Sequence, residues 1–315
     1  MKLKALSYYD RDMNTRFGDC LLLYDSTSLV VYDCGHIKHA EAVEAFLQSN
    51  KTISKVHIVV SHNDSDHTNG VIPLLDYLYE NKNWTVTVCT SLYLKSARKV
   101  KDLLDDDRRT LPATKQHILD TFDKIKAIVE KAQKYKFTIV DASQNTTVSS
   151  CTIVGPTEDE FVKVVAQAIN DNVVDMIEGE TVMNAASVQL RCELDSNTTA
   201  LLCGDASPAF LHDLDNYDII QLPHHGQLAD AEAVFNKLSN SGDKLFLISD
   251  NTGSGATSGG SDDLMKSDSR KGKRIKNTKN GVIDLPEDAR YNGGESKTQG
   301  GIYIPSSQKT GGYGY

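Results

Sequence analysis

The sequence has no long hydrophobic run, and its apolar stretches fall well short of the roughly 20 residues needed to cross a bilayer. The opening residues, MKLKALSYYD, lack the apolar stretch of a secretion signal. We therefore expect a cytoplasmic protein with no membrane-bound part. The hydrophobic fraction of 39% over 315 residues is sufficient for one large or two ordinary packed domains.

The sequence also lacks any C-x-x-C pair, although it contains six cysteines. Most of these cysteines lie among apolar neighbours, as in VTVCTS and LLCGD, which is typical of reduced thiols in a protein core. The pattern therefore argues against a disulfide framework, a zinc knuckle and a redox function.

The sequence has fewer basic than acidic residues, 34 against 43, and the net charge of -9 argues against a protein that coats nucleic acid without selectivity. Residues 266–279 depart from this composition: seven Lys or Arg and one Asp give them +6, which leaves -15 for the rest. The preceding residues 250–262 are rich in Gly and Ser and predict a mobile loop. We interpret Lys271, Lys273 and Arg274 as substrate-binding residues that hold phosphates; the alternative is a solvated loop.

Short apolar strand patterns alternate with helical segments of about ten residues, which predicts a layered α/β structure. A charged segment with helical periodicity, from about 95 to 135, predicts an exposed helical insertion. Two successive halves of strands and helices fit a duplicated sandwich. We assign residues 1–250 to one domain that contains the insertion. Residues 251–315 would form a flexible basic loop and C-terminal strands that complete or flank this domain.

Four side chains of the kinds that bind metals lie within six positions of the stretch SHNDSDHTNG: His62, Asp64, Asp66 and His67. They directly follow the strand-like run VHIVV, and a turn at a rigid strand end lets such side chains converge on one ion. The alternative is an Asx-rich turn that caps the next helix and leaves both histidines on the surface.

Three further apolar runs end in side chains of the same kinds. The run in VVYDCGH ends at Asp33, that in ALLCGDAS at Asp205, and that in IIQLPHHGQ at His224 and His225. Because the strand ends of a layered sheet meet at one rim, we expect these residues to gather with the first four. This expectation favours a metal site over the Asx-rich turn.

These stretches resemble the metallo-β-lactamase-fold hydrolases, whose hallmark is H-x-H-x-D-H. More narrowly they resemble the branch that includes the hydrolase domain of the DNA-uptake protein ComEC. The stretches FGDCLLL, NAASVQL and NTKNGVIDL are similar to further motifs of that branch, and the resemblance runs from about residue 7 to 285. It implies a four-layered αββα sandwich that holds one or two divalent ions, zinc or manganese, with magnesium as a further candidate.

The resemblance also implies a role for each ligand. His62 and Asp64 would face one metal, Asp66 and His67 would face the other, and Asp205 would bridge them.

Either His225 or His224 would complete the second metal, with His225 slightly favoured, and Asp33 would orient a ligand through a hydrogen bond. The chain departs from the family in two places: Asp64 replaces a histidine, and the mid-chain histidine is absent near Asn184, which we assign to the surroundings of the metal. Additional oxygen ligands favour manganese and magnesium over zinc.

The leading hypothesis is a metal-dependent phosphodiesterase that acts on DNA, RNA or a small nucleotide. Asp66 would orient the attacking water or accept its proton. One alternative is a hydrolase of small esters, thioesters or lactones. Another is a metal-binding or degenerate scaffold that associates with protein partners in a multi-protein bacterial system, which the missing histidine and the acidic helical segment favour.

Overall fold

The computed structural model describes most of the chain, in seven stretches: 1–8, 17–91, 94–106, 108–171, 176–177, 180–251 and 260–286. Most of the predicted mobile loop and the residues from 287 to the end lie outside the described residues. Within the described part, the strands form two large mixed sheets of seven strands each and a two-stranded ribbon.

The first sheet consists, in spatial order, of β16 (Ile283–Leu285), β1 (Lys2–Ala5), β2 (Leu21–Tyr24), β3 (Ser28–Tyr32), β4 (Lys55–Val60), β5 (Thr85–Thr90) and β6 (Thr138–Asp141). Strands β3 to β6 run parallel, whereas β16, β1 and β2 pair antiparallel. The apolar strand β3 is buried along its whole length, as expected for a strand that is covered on both faces of its sheet.

The second sheet consists, in spatial order, of β15 (Arg274–Asn277), β14 (Leu245–Ile248), β13 (Ile219–Gln221), β12 (Thr198–Leu202), β11 (Gln189–Leu194), β8 (Cys151–Gly155) and β7 (Thr147–Val148). Strands β12 to β15 run parallel, and the other three pair antiparallel. The ribbon pairs β9 (Met176–Ile177) with β10 (Glu180–Thr181). Both large sheets thus repeat one strand pattern, as a duplicated sandwich requires.

Helices cover the outer face of each sheet. They are α1 (Ile37–Ser49), α2 (Ser65–Thr68), α3 (Val71–Asn81), α4 (Ala97–Asp102), α5 (Leu111–Thr121), α6 (Asp123–Lys134), α7 (Glu158–Asp171), α8 (Val182–Ala185), α9 (Leu228–Lys237) and α10 (Asp262–Lys266). One apolar core lies between the first sheet and helices α1 and α3 to α7, a second lies between the two sheets, and a third lies under α9 and α10. The predicted four-layered αββα sandwich is therefore confirmed. None of these described helices is long and apolar enough to span a membrane.

The charged segment from 95 to 135 connects the parallel strands β5 and β6. Two parallel neighbours require a crossover of a dozen or more residues, and helices α4 to α6 provide it. Helix α6 buries Ile125, Ile128, Val129 and Ala132 at helical spacing, and it contacts α3, β5 and β6. The segment therefore belongs to the outer helical layer, and its charged residues form the solvent face. Because α6 leads into the start of β6, its own start lies near the opposite end of the sheet.

The described residues after 251 complete both sheets. Strand β15 adds a parallel edge strand to the second sheet, and β16 pairs with the first strand of the chain in the other sheet. All six cysteines are free and buried, as their apolar neighbours predict.

Candidate metal centre

The carboxyl ends of parallel strands from both sheets meet at one edge of the sandwich. Strands β3 and β4 of the first sheet lead into Asp33 and His62, and strands β12 and β13 of the second lead into Asp205 and His225. Parallel strands place their carboxyl ends at the same edge, which is where open α/β sheets bind ligands. The structure thus brings together residues that are far apart in the chain: Asp33 and His225 are separated by 192 positions.

Three imidazoles converge on the carboxylate of Asp205. The Nε2 atom of His67 lies 3.4 Å from its Oδ1 atom, and the Nε2 atoms of His62 and His225 lie 3.9 Å and 3.7 Å from its Oδ2 atom. Two ligand atoms of one tetrahedral ion are separated by about 3.3 to 3.6 Å when each bond is about 2.0 to 2.2 Å. The observed spacing is therefore close to that of a coordination shell.

Two further carboxylates flank this group. The Oδ2 atom of Asp66 lies 3.2 Å from the Nε2 atom of His225, and that of Asp64 lies 3.8 Å from the Nε2 atom of His62. The side chain of Asp64 is 43% exposed and that of Asp66 25%, whereas that of Asp205 is only 5% exposed. These two aspartates therefore form the solvent side of the cluster.

Several buried atoms of the cluster have no hydrogen-bond partner. They are the Nε2 atoms of His62 and His67 and the Oδ1 atom of Asp205. A buried polar atom without a partner costs free energy, and such atoms rarely occur together in a stable structure. One divalent cation between them would satisfy all three, so the donor set and its geometry fit a metal ion.

A chain of hydrogen bonds fixes which nitrogen of two histidines carries the proton. The hydroxyl of Ser61 donates to Asp33 Oδ2 at 2.6 Å, so its oxygen accepts from the Nδ1 atom of His62 at 2.9 Å. His67 donates from its own Nδ1 atom to the same Asp33 oxygen at 2.8 Å. With Nδ1 protonated, each Nε2 atom is left to bind a metal. Asp33 is thus bonded to His67 directly and to His62 through Ser61, and its role in orienting metal ligands stays a prediction.

Asp19 lies in the cluster, although the sequence did not single it out as a site residue. Its Oδ1 atom is 3.0 Å from the Nδ1 atom of His225, which also lies 3.0 Å from the carbonyl oxygen of Ser249. Its Oδ2 atom accepts from Gln221 at 2.8 Å. Asp19, His67, Asp205 and His225 each offer a ligand atom within 4.8 Å of the others. Because both oxygens of Asp19 are already engaged, we assign it to the orientation of His225. The feature of the sequence that could have identified Asp19 is the pair Gly18–Asp19, which lies shortly before β2.

Burial and opposite charges shift the pKa values of the cluster. Burial raises the pKa of Asp205, but the charges of His225 and His67 outweigh it and hold the value well below the usual range. Burial lowers the pKa values of His67 and His225, but the charge of Asp205 raises both well above the usual range. Burial, followed by the charge of His67, lowers the pKa of His62 to about 4. Protons on His67 and His225 thus balance the carboxylates, and a bound cation would displace them.

The two adjacent histidines have different surroundings. The Nδ1 atom of His224 lies 3.5 Å from Asp230 Oδ2, outside the group around Asp205, whereas His225 lies inside that group. Both residues have positive φ angles, 52° and 55°. Such angles are uncommon for residues other than glycine and often occur at functional sites. The structure therefore brings His225, the favoured residue of the pair, to the cluster.

Asn184 lies in the short helix α8 and is buried. The backbone carbonyl oxygen of Asn184 accepts from the backbone N–H group of Ser187. The N–H group of the following residue, Val188, donates to the backbone carbonyl of Ser61 at 2.8 Å. Asn184 is thus near the first histidine of the motif, and its assignment to the surroundings of a metal stays a prediction.

The structure does not bring Lys271, Lys273 and Arg274 to the cluster. Strand β15 is parallel to β14, whose carboxyl end leads directly to Ser249 beside His225. Arg274 starts β15 and pairs with Leu245, the first residue of β14, so the three basic residues lie at the opposite end of the strands. The composition of the segment predicts its charge but not the direction of its strand. That direction places these residues one strand length away from the end that leads to the cluster, about 13 Å for four residues.

We expect Gly18→Ala to destabilise the protein by about 2 to 5 kcal/mol, because it combines a strained backbone with a steric clash. The φ angle of Gly18 is 67°, and an added Cβ atom would lie 1.7 Å from the carbonyl oxygen of Asp66. Gly272 is a matched control, since its φ angle is 74° but a Cβ atom would meet nothing within 4 Å. Urea unfolding of both variants measures the difference, and equal losses would contradict a steric role for Gly18.

No family model and no curated protein matches the chain. Among solved structures, the chain is similar to the metallo-β-lactamase-fold protein YhfI from Bacillus subtilis, at 13% identity and a TM-score of 0.48, over 90% of this chain and 100% of that one. It is also similar to a long form of RNase Z from yeast, at 13% identity and a TM-score of 0.38, over 78% of this chain and 36% of that one. These distant similarities concern the fold and do not identify a substrate.

Proposed function

We propose that this protein is a metal-dependent hydrolase, and that its substrates are phosphodiesters. The observation that carries the proposal is the convergence of three imidazole Nε2 atoms on Asp205, with buried atoms left without hydrogen-bond partners. A divalent ion held there would lower the pKa of a water molecule and stabilise the charge that develops on the attacked group. Zinc, manganese and magnesium all remain candidates.

The residues of the cluster divide into those that hold the ion and those that orient the holders. His62, His67, His225 and Asp205 offer the inward-facing ligand atoms. Asp33 and Asp19 form hydrogen bonds with the Nδ1 atoms of His67 and His225 and so orient these two rings. Orienting partners of this kind fix the tautomer of a histidine and raise its basicity as a ligand.

Asp66 is the proposed catalytic residue. Burial raises the pKa of its carboxyl group, but the hydrogen bond from His225 and the charge of His67 lower it, and the net shift is downward. Asp66 therefore stays ionised at neutral pH and accepts hydrogen bonds on the solvent side of the cluster. This position lets the carboxylate orient a water molecule for attack and take up its proton transiently.

Asp64 would add an oxygen ligand to the half of the cluster that contains His62. Burial raises the pKa of its carboxyl group, and its Oδ2 atom lies 3.8 Å from the Nε2 atom of His62. Since hard oxygen ligands suit manganese and magnesium better than zinc, this half would hold zinc less tightly. The resemblance of the motifs to the ComEC branch supports phosphodiesters over carboxylic esters as substrates.

We expect the purified protein to contain at least one equivalent of a divalent metal and to cleave bis-p-nitrophenyl phosphate and single-stranded DNA when manganese is added. The double variant Asp66→Ala with His67→Ala should lose both the metal and the cleavage, because it removes a ligand and the proposed catalytic carboxylate. Elemental analysis and a chromogenic assay are the measurements.

The outcomes separate the three hypotheses. Metal retention with turnover of carboxylic esters alone would replace the phosphodiesterase by the ester hydrolase. A protein with neither metal nor turnover would contradict a hydrolase and favour the scaffold that associates with other proteins.

A further inference from the structure

The metal-binding motif is joined to the start of helix α6 by a residue that offers no ligand. Asn63 lies between His62 and Asp64, and its side chain bonds to residues of α6. Its Oδ1 atom accepts from the N–H group of Ile125 at 2.9 Å, and its Nδ2 atom donates to Asp123 Oδ1 at 2.9 Å. The helix has no side-chain cap of its own, so Asn63 caps it from a distant part of the chain.

This contact places the start of α6, and with it Lys124, beside the metal-binding motif. Lys124 lies between the two residues that bind Asn63, and Asp64 is the residue next to Asn63. The charge of Lys124 is also one of the smaller influences on the pKa of the Asp64 carboxyl group, where it opposes the larger effect of burial. The positive end of the α6 dipole lies at the same place, in a helix of 12 residues.

Lys124 also differs from its neighbouring lysine on α6 in its partners. Within the described residues Lys124 forms no ion pair, and it is half-buried. Lys126, one position beyond Ile125, lies 3.9 Å from Asp120. A half-buried lysine that forms no ion pair, beside a motif whose cluster fits a cation, is suited to an anion that binds to that cation.

We propose that Lys124 is a substrate-binding residue that holds a non-bridging oxygen of the phosphate group of a phosphodiester. Asn63 is the positioning residue that keeps α6, and with it Lys124, beside the metal motif. This proposal rests on the proposed function, because it names the group that recognises the phosphate. It replaces the distant basic residues 271, 273 and 274 as the source of positive charge at the site. Neutral esters would gain nothing from Lys124, so the residue favours anionic substrates.

The first test is binding of inorganic phosphate to the manganese-loaded protein, measured by isothermal titration calorimetry. We expect Lys124→Ser to raise the dissociation constant about tenfold, which is the usual scale for the loss of one charge-assisted hydrogen bond. Lys124→Arg should retain most of the affinity. The matched control Lys126→Ser removes the same charge two positions further along the helix and should change the affinity less than about twofold.

The second test is the steady-state hydrolysis of bis-p-nitrophenyl phosphate. Lys124→Ser should raise KM about tenfold and leave kcat within about threefold of the wild type, because the ammonium group binds the ground state and the transition state alike. Asn63→Ala should raise KM in the same direction, since α6 loses its cap and Lys124 its position. Metal content should be unchanged in both variants.

The two tests distinguish failure of this inference from failure of the proposed function. Wild-type protein that binds manganese and phosphate but cleaves no phosphodiester contradicts the proposed function, and the calorimetric comparison of Lys124→Ser with Lys126→Ser still decides the role of Lys124. Equal phosphate affinity in Lys124→Ser and the wild type, or equal losses in the two lysine variants, would overturn the inference. So would a wild type that binds no phosphate at millimolar concentration.

Discussion

Asp205→Asn is expected to lower the affinity for a divalent metal by about 100-fold or more and to abolish metal-dependent hydrolysis. The Asp205 carboxylate offers one oxygen to His67 and the other to His62 and His225, so both halves of the cluster share its charge. Outer partners of metal ligands are typically worth 10- to 100-fold in affinity, and a shared ligand should be worth more. The amide keeps the shape of the side chain but removes the charge. Competition with a fluorescent chelator measures the affinity.

The control for this prediction is Asp263→Asn, which changes an exposed carboxylate on α10. It removes the same charge from the protein as a whole and should leave the metal affinity unchanged. Far-ultraviolet circular dichroism of both variants checks that the fold is retained. Retention of a full equivalent of metal by folded Asp205→Asn after dialysis would contradict a metal centre built around this residue.

The strand pattern explains why much of the cluster could be predicted from the sequence. Each sheet contains four parallel strands, and the first two of each set end in the cluster: β3 leads to Asp33 and β4 to His62, while β12 leads to Asp205 and β13 to His225. An apolar run that ends in Asp or His is visible in the sequence, and parallel strands place such ends at one edge. The four-residue motif adds candidate ligands at a spacing that needs no knowledge of the fold.

Other parts of the site depend on contacts that spacing does not encode. Asp19 reaches His225 across 206 positions, and Asn63 reaches the start of α6 across 60 to 62 positions. The sequence showed α6 as a charged helix with an apolar stripe, but the stripe determines only which face is buried. Its position beside the metal motif follows from the crossover between β5 and β6. The role of the basic segment likewise depended on the direction of β15, which its composition does not reveal.

Asp33→Asn is expected to lower the metal affinity by about 10- to 100-fold, although Asp33 offers no ligand atom to the metal. One carboxylate accepts hydrogen bonds from the Nδ1 atom of His67 and from the hydroxyl and the N–H group of Ser61. Asn is the suitable replacement because φ at this position is 60°, and Asn tolerates positive φ better than most residues. The variant should therefore retain the backbone while it weakens the hold on His67 and, through Ser61, on His62.

Double variants test whether this chain of hydrogen bonds acts as a unit. Ser61→Ala should lower the affinity less than Asp33→Asn, since it affects only the partner of His62. In combination, Asp33→Asn with Ser61→Ala should lose hardly more than Asp33→Asn alone, because the hydroxyl transmits the effect of the carboxylate. Asp19→Asn acts on His225 instead, so its loss should add to that of Asp33→Asn. Additive losses for Asp33 and Ser61 would mean that the two residues act separately, and that the proton on His62 Nδ1 is held by something other than this chain.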